Sequence, residues 1–570
     1  MLVKIISLLM SAVITLTSFV SVSFSSFVDT LSEAFYGIPY TFDAIKSDFF
    51  AEMNDNDVVQ VDEVSGYVKN KIAVFLDEDM PFAEKVDFFA KCRGILVGWC
   101  TPADLYVLKY PSMSYDEIIE ECKNISENQG VAFSMPVFAS KISENQTPDD
   151  SFGEMTEWNE NAPQGNNWWL EAIDARQAWD YENYFSTANI GIVDSGFQLG
   201  HPELQGKISF PNSKQAKRNY PSTHGTHVAG IIAAEKNNLQ GIAGINSNSR
   251  LICVDWSPEG LQLWNTELAV LFGFSAVVKA GAKVVNFSLG ISSGIVGTKA
   301  PWVNRVLGTA ATTLVMSSLL NKGYDFVAVQ AAGNGNVLGY PIDASNNGHF
   351  SSVNENNIFT GFNKLDKSEI LDRIIVVGAA ENNGDGTYRQ SFFSNVGPAI
   401  SVSAPGNEIY SLDMNSDYCT LTGTSMATPM VTAVASLVWS VNPGFKGPEI
   451  KEIVCTATDK IAAINTEAAY FDDLELMDYP MVNAKLAVEE AIKRTDSTVG
   501  TLEGIISDEG ANAVEFNGKQ YTVLSNGSFS FVAPEAEGLL NVLDASGNII
   551  RSINTSIIAG ETTEITGEVE

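Results

Sequence analysis

Three short segments, each with one chemically reactive side chain, follow one another in a fixed order along this 570-residue chain. Asp194 comes directly after the apolar run 190–193, His224 opens His-Gly-Thr-His-Val-Ala-Gly, and Ser425 stands in Gly-Thr-Ser-Met-Ala. Each side chain therefore lies where a strand or loop meets a glycine or the start of a helix. Nucleophilic catalysis needs these three groups, because the hydroxyl attacks, the imidazole takes its proton and the carboxylate holds the imidazole.

The order Asp, His, Ser is one of three unrelated orders known for this arrangement, and it is the order found in subtilisins. All three segments resemble those of the subtilisin-like serine proteases, over about residues 166–494. The resemblance implies an endopeptidase in which Ser425 attacks the peptide carbonyl, His224 is the general base and Asp194 orients His224. Met430 departs from the His of many family members. Because it lies beyond the nucleophile, we expect a difference in packing and no loss of activity.

Two further segments complete the expected site. Asn334 lies between two glycines after the apolar run 326–330. Such an Asn is often only a turn residue. The resemblance implies instead that its amide, together with the Ser425 N–H, donates to the tetrahedral oxyanion. A substrate-binding segment is predicted at Ser288, Leu289 and Gly290, where a peptide would add by main-chain hydrogen bonds; the alternative is an ordinary strand end closing on glycine.

Calcium is implied only by the resemblance, through Gln164, Glu203 and Asn238, whose oxygens suit this ion. Glu203 replaces the usual Asp. No cofactor is needed for the chemistry itself. His227 follows His224 by three residues and could share a metal, but a third ligand and the Glu of an HExxH motif are missing, so we expect a packed, hydrogen-bonded histidine.

Charge excludes some partners. The chain has 69 acidic and 34 basic residues and a formal net charge of −35. Such a surface repels nucleic acid and anionic membranes. The partners we expect are protein or peptide substrates.

The first 28 residues are typical of an export signal, with Lys4, an apolar stretch over 5–22 and small residues after it. We therefore expect a secreted protein with no stable membrane insertion once the signal is removed. An uncleaved N-terminal anchor outside the cell is the alternative. Three of the six cysteines lie in the early region and three in the body of the chain, so neither set can pair completely. We expect mostly free thiols, and a single disulfide within the early region is the alternative.

The predicted fold class is α/β: a three-layer, subtilisin-like parallel sheet with helices on both faces. Apolar runs alternating with helical stretches indicate it. A ferredoxin-like α+β unit is expected before this domain and a small all-β sandwich after it. By fold alone the first could be any small α+β module. Its position and its resemblance to the propeptide of subtilisin-like proteases imply a propeptide that acts as an intramolecular inhibitor. The predicted boundaries are 1–28 signal peptide, 29–150 propeptide with its core at about 67–138, 151–165 linker and processing region, 166–495 catalytic domain and 496–570 β-sandwich.

Two other functions remain open at this point. A binding or adhesion protein could keep the scaffold of a retired protease, although the intact Asp-His-Ser set argues against it. A dedicated processing protease with one partner substrate would differ from a digestive enzyme by a narrow cleavage preference.

The insertion over residues 291–325 is expected to reshape a wall of the specificity pocket.

Overall fold

The computed structural model of the chain describes residues 53–61, 65–100, 103–141, 167–238, 240–256, 264–290, 299–335, 341–346, 348–358, 365–465, 475–524 and 526–565. The predicted signal peptide, the linker and Gln164 lie outside the described residues.

A ten-stranded, largely parallel sheet forms the centre of the molecule. Its strand order is β13-β17-β18-β14-β12-β11-β10-β6-β8-β7, and neighbouring strands from β14 to β7 all run parallel. The strands are β6 (Asn189–Asp194), β7 (Ile208–Ser209), β8 (Arg250–Asp255), β10 (Val284–Phe287), β11 (Val327–Ala331), β12 (Ile374–Asn382), β13 (Tyr388–Gln390), β14 (Val402–Pro405), β17 (Lys460–Ala463) and β18 (Tyr479–Met481). The inner strands are buried along nearly their whole length, which explains why they are continuous apolar runs in the sequence.

Helices cover both faces of this sheet. One core contains side chains of the helices next to the reactive segments, and the other contains side chains of the two helices before and after β10. The helices of this part are α3 (Trp168–Ala172), α4 (Ala175–Trp179), α5 (Ser213–Arg218), α6 (Thr223–Ala233), α7 (Glu267–Lys279), α8 (Lys299–Asn321), α9 (Lys367–Leu371), α10 (Thr424–Val441), α11 (Gly447–Thr456) and α12 (Ala484–Thr495). A separate hairpin, β15 (Ile409–Leu412) with β16 (Tyr418–Leu421), precedes α10.

The residues before this sheet form a smaller α+β unit. Its elements are β1 (Val58–Gln60), β2 (Ser65–Leu76), α1 (Phe82–Lys91), β3 (Ile95–Cys100), β4 (Leu105–Lys109), α2 (Tyr115–Ser126) and β5 (Val131–Lys141). The antiparallel strand order is β3-β4-β2-β5, with β1 beside β2. Helix α2 begins with a capping box, in which Ser114 and Glu117 satisfy each other's backbone N–H groups.

The α+β unit packs on the part built around the ten-stranded sheet through shared strand pairing and a shared core. Strand β5 pairs antiparallel with β9 (Trp264–Thr266), which directly precedes α7. Helices α7 and α8 contribute to the same hydrophobic core as the α+β unit. Asp104 of the unit is buried and accepts from both Lys85 and Lys322, the latter at 2.5 Å and located just after α8. The described part of the 291–325 insertion thus packs against the α+β unit.

The C-terminal residues form two facing sheets. One has the order β22-β19-β25 and the other β21-β20-β23-β24. The strands are β19 (Val499–Ile505), β20 (Ala511–Phe516), β21 (Lys519–Thr522), β22 (Ser528–Pro534), β23 (Ala536–Asp544), β24 (Ile549–Ile557) and β25 (Thr562–Ile565).

The two Asn-Gly pairs of this region behave differently. Asn517 and Gly518 join β20 and β21 with positive φ at both residues, as a type I′ hairpin requires. The pair at 526–527 also lies at a tight turn, in which Gly527 N donates to Leu524 O at 2.8 Å. However, β21 and β22 belong to different sheets, so this Asn-Gly pair does not join two hydrogen-bonded strands, although Asn-Gly is a strong sequence signal for a hairpin. A turn signal specifies reversal of the chain and not the partner of the next strand.

All six cysteines are free thiols, three of them buried: Cys100, Cys122 and Cys253. Within the described residues, one helix, α10, has the length and apolarity of a membrane span. Of its 18 residues, 89% are buried inside the protein, since it is the central helix of one face of the sheet.

The two C-terminal sheets join the part built around the ten-stranded sheet through a buried tyrosine. The Tyr181 hydroxyl donates to Glu489 Oε1 at 2.6 Å and accepts from Val532 N at 3.0 Å. Tyr181 is fully buried and Glu489 nearly so, and the hydrophobic core runs without a break from α12 into both sheets.

We predict that Tyr181→Phe lowers the free energy of unfolding by about 1–3 kcal/mol, because a buried carboxylate and a buried N–H each lose a partner. Urea unfolding measures this. Tyr184→Phe is the matched control, since the Tyr184 ring lies 6.5 Å from that of Tyr181 and its side chain is only partly buried. Equal stability of Tyr181→Phe and Tyr184→Phe would show that this contact does not hold the C-terminal sheets.

Candidate active site

The predicted residues gather at the carboxyl edge of the parallel sheet, where such sheets place their sites. Asp194 is the last residue of β6, Ser288 follows β10 directly, and Asn334 lies three residues after β11. Strand β10 is hydrogen-bonded to both β6 and β11, so the three positions are neighbours along one edge.

Asp194 and His224 form a short hydrogen bond. His224 Nδ1 donates to Asp194 Oδ1 at 2.6 Å. Ser195 N also donates to Oδ1, at 2.7 Å, which fixes the carboxylate against the first turn after β6. Asp194 is 1% exposed, and Oδ2 has no hydrogen-bond donor in the described part of the chain. Because Nδ1 carries the donated proton, Nε2 of neutral His224 is the nitrogen able to accept one.

The two histidines of α6 have opposite electrostatics. Burial lowers the pKa of His224, but the charge of Asp194 and its hydrogen bond outweigh burial, and the pKa is raised overall. Burial, and then the nearby His224, lower the pKa of His227 to about 3. His227 Nε2 donates to Ile409 O at 2.9 Å. His227 is therefore a neutral residue that attaches α6 to β15, as its sequence context suggested.

Ser425 is the second residue of α10, so its backbone N–H has no partner within the helix. Pro429 occupies the position whose N–H would otherwise bond to the Ser425 carbonyl. That carbonyl instead accepts from Ser288 Oγ at 2.7 Å, and Ser425 Oγ donates to Ser288 O at 3.1 Å. The nucleophile candidate is thus tied to the predicted substrate-binding segment, and among the described contacts its hydroxyl has no hydrogen bond to His224.

Asn334 is oriented by the residue before Ser425. Its Oδ1 accepts from Thr424 N and from Thr424 Oγ1, both at 2.8 Å. Because Oδ1 already accepts these two hydrogen bonds, Nδ2 is the donor of the amide, and it has no acceptor among the hydrogen bonds of the described residues. A Cβ placed on Gly423 would come within 3.0 Å of Nδ2, so this nitrogen lies directly beside the turn that leads into the nucleophile.

The segment Ser288, Leu289 and Gly290 is anchored from beneath. Asn286 Nδ2 donates to Ser288 Oγ at 3.0 Å, and Thr432 Oγ1 of α10 donates to Asn286 Oδ1 at 3.0 Å. Leu289 is partly buried, whereas Gly290 is exposed at the end of the described segment. A buried polar chain therefore links this segment to the helix of Ser425.

Two of the three predicted calcium ligands lie side by side, and Gln164 lies outside the described residues. Asn238 Nδ2 donates to Glu203 Oε2 at 2.8 Å, and the Tyr418 hydroxyl donates to Oε1 at 3.0 Å. Burial raises the pKa of Glu203, against the effect of these donors. A carboxylate next to an amide fits a hard cation in its chemistry. A cation between them would require the Asn238 amide oxygen where its nitrogen now lies.

Several contributing residues were missed from the sequence. Thr424 stands inside the recognised motif, so its position was visible but its contact with Asn334 was not. Ser195 likewise follows Asp194 directly. Asn286 and Thr432 are far apart in sequence, and no local pattern signals that they meet.

Comparison with known proteins settles the family. The model of the Subtilase family matches residues 186–482, just over half of the chain. The chain belongs to the subtilase family. It is a subtilisin-like serine endopeptidase, and proteins or peptides are its substrates.

Two curated relatives and one solved structure cover between 52% and 91% of this subtilase. Thermitase of Thermoactinomyces vulgaris is 34% identical over 305 residues, 52% of this chain and 89% of thermitase. A thermophilic serine proteinase of Bacillus sp. (strain AK1) is 26% identical over 412 residues, 72% of this chain and 86% of that protein. The crystal structure of fervidolysin from Fervidobacterium pennivorans covers 91% of this chain and 82% of its own, with a TM-score of 0.53 and 19% identity, and shows a shared fold.

Proposed function

We propose that Asp194, His224 and Ser425 are the catalytic triad and that Asn334 and the Ser425 N–H form the oxyanion hole. The observation that carries the proposal is the Asp194–His224 hydrogen bond of 2.6 Å at the same sheet edge as Asn334 and Ser288. The substrate would add along Ser288, Leu289 and Gly290.

The mechanism follows from these positions. The Ser425 hydroxyl turns from Ser288 O to His224 Nε2, and its oxygen attacks the peptide carbonyl as the proton passes to Nε2. Asp194 stabilises the resulting imidazolium without taking the proton. Asn334 Nδ2 and Ser425 N donate to the oxyanion. The amine leaves with the proton from Nε2, and a water, deprotonated by the same nitrogen, hydrolyses the acyl-enzyme and restores Ser425.

This assignment predicts the acid limb of the pH profile. Only neutral His224 accepts a proton, and Asp194 raises its pKa, so kcat/KM for a chromogenic peptide should rise with pH with a midpoint above the ordinary histidine value of about 6.5. Asp194→Asn removes the charge, so the midpoint should move down and kcat should fall about 10⁴-fold, as measured in other triads, subtilisin included. An unchanged midpoint in Asp194→Asn would contradict the pairing.

We propose that the protein is exported and matures from a self-inhibited precursor. The signal-like residues 1–28 support export. Three contacts support an α+β unit that stays bound to the enzyme until it is cut off. Strand β5 pairs with β9, the unit shares a core with α7 and α8, and Asp104 accepts hydrogen bonds from Lys85 and Lys322.

Incubated alone, the purified precursor should shorten by a cut within residues 140–165, and Ser425→Ala should remain intact; intact-mass measurement and N-terminal sequencing check this. Asn tolerates the φ of +47° at position 104, so Asp104→Asn removes only the charge that pairs with Lys85 and Lys322. The α+β unit should then be held less tightly on the enzyme, and the lag before activity appears should be shorter. Asp116→Asn on the exposed face of α2 is the matched control. Identical shortening of wild type and Ser425→Ala would rule out self-processing.

We propose further that Glu203 and Asn238 hold a structural calcium ion, supported by the chemistry of their oxygens. Bound only by the folded state, calcium at 100 times its Kd would add about 2.7 kcal/mol of stability. Millimolar calcium should therefore raise the melting temperature of the inactive Ser425→Ala protein, and Glu203→Gln should abolish the rise. Glu235→Gln, at a half-exposed neighbouring carboxylate, should not. If calcium does not raise the melting temperature, the calcium proposal fails, and the role of Glu203 is to hydrogen-bond with Tyr418 and Asn238.

A further inference from the structure

Asn395 lies after β13 and is completely buried. It is 61 positions from Asn334 in the sequence, and no motif distinguishes it. Yet its polar atoms are directed at the loop that carries Asn334.

Four hydrogen bonds join Asn395 to this loop and to Ile342, which lies in the next described segment, 341–346. The side-chain Oδ1 accepts from Gly335 N and from Ile342 N, both at 3.0 Å. The side-chain Nδ2 donates to Ala332 O at 2.7 Å, and the backbone N donates to Gly333 O at 2.9 Å. Asn395 therefore hydrogen-bonds to the residues on both sides of Asn334, and none of these four bonds is to Asn334 itself.

The loop needs such support because of its own composition. Gly333 has φ +100° and Gly335 has φ +86°, so Asn334 lies between two residues in a conformation that favours glycine. Glycine has many accessible conformations, and an unsupported loop of this kind would spread Asn334 over several positions. An oxyanion donor contributes most when it is fixed before the reaction.

The loop is held from two sides. Thr424 fixes the Asn334 amide and also accepts from Gly333 N through Oγ1 at 3.1 Å. Asn395 fixes the backbone of the same loop through separate hydrogen bonds. Thr424 belongs to the helix of the nucleophile, whereas Asn395 belongs to the segment after β13, so the loop is clamped between two independent elements.

We propose that Asn395 is a positioning residue for the oxyanion hole and that it acts on the reaction through Asn334. This inference rests on the proposed role of Asn334. An Asn is suited to the task because one amide supplies an acceptor for two N–H groups and a donor for a carbonyl.

Two results separate a positioning role from a merely structural one. Loss of a positioning residue changes kcat and not KM, and the change occurs only when Asn334 is present. A donor used only in the transition state lowers kcat and leaves KM unchanged when it is lost. Asn334→Ala should lower kcat about 10²- to 10³-fold, the loss measured for this kind of change in subtilisin. Asn395→Ala should lower kcat about tenfold or more with KM within about twofold, because misplacing the donor loses part of the same stabilisation.

A double-mutant cycle tests the proposal, with kcat expressed per active site by phosphonate titration of the mature enzyme. In the Asn334→Ala background, Asn395→Ala should change kcat by less than about twofold. The same loss in both backgrounds, or a loss only in KM, would overturn the proposal. If Asn334→Ala alone leaves kcat unchanged, the oxyanion assignment itself fails, and the two failures are thus distinguished.

Two further variants protect the test from a folding defect. Asn395→Asp is nearly isosteric and keeps the acceptor for Gly335 and Ile342 while losing the donor to Ala332; it should show the same non-additivity with Asn334→Ala. Asn246→Ala is the matched control, since Asn246 is also a buried Asn with a side-chain hydrogen bond, to Ser436 Oγ at 2.8 Å. It should lower the melting temperature and leave kcat unchanged in both backgrounds, and a kcat loss as large as that of Asn395→Ala would refute a specific role for Asn395.

Discussion

The hydrogen bond between the buried Asp194 carboxylate and His224 Nδ1 is the interaction on which the rest of the site depends. It selects the tautomer that leaves Nε2 free, and it raises the pKa of an imidazole that burial alone would keep uncharged. The fold makes the bond possible because β6 ends in a covered parallel sheet, where a carboxylate is shielded from water. Ser195 N fixes the carboxylate, so the imidazole is oriented by a rigid partner.

The proposed nucleophile Ser425 and the proposed oxyanion donor Asn334 are held by a second set of contacts, centred on the start of α10. Pro429 frees the Ser425 carbonyl for Ser288, and Thr424 orients Asn334. Helix α10, the segment 288–290 and the loop of Asn334 are therefore one connected unit. Its elements come from distant parts of the sequence, and buried hydrogen bonds connect them where the strands end.

The sequence predicted what is local and left out what is long-range. The inner strands were visible as apolar runs, and the positions of Asp194, His224 and Ser425 were visible from short motifs. The clamp by Asn395 was not, because a buried Asn has no pattern of its own and its partners are 53 to 63 positions away. The turn at 526–527 shows the same limit, since the turn formed but the following strand joined another sheet.

Asp194, His224 and Ser425 are proposed to act as one nucleophilic unit. The most direct test is to label the native mature protein with an organophosphonate and to locate the adduct by peptide mass spectrometry. The phosphonyl group should be found on Ser425 alone, and labelling should disappear in denatured protein. An adduct on another residue, or no labelling of active enzyme, would contradict the claim.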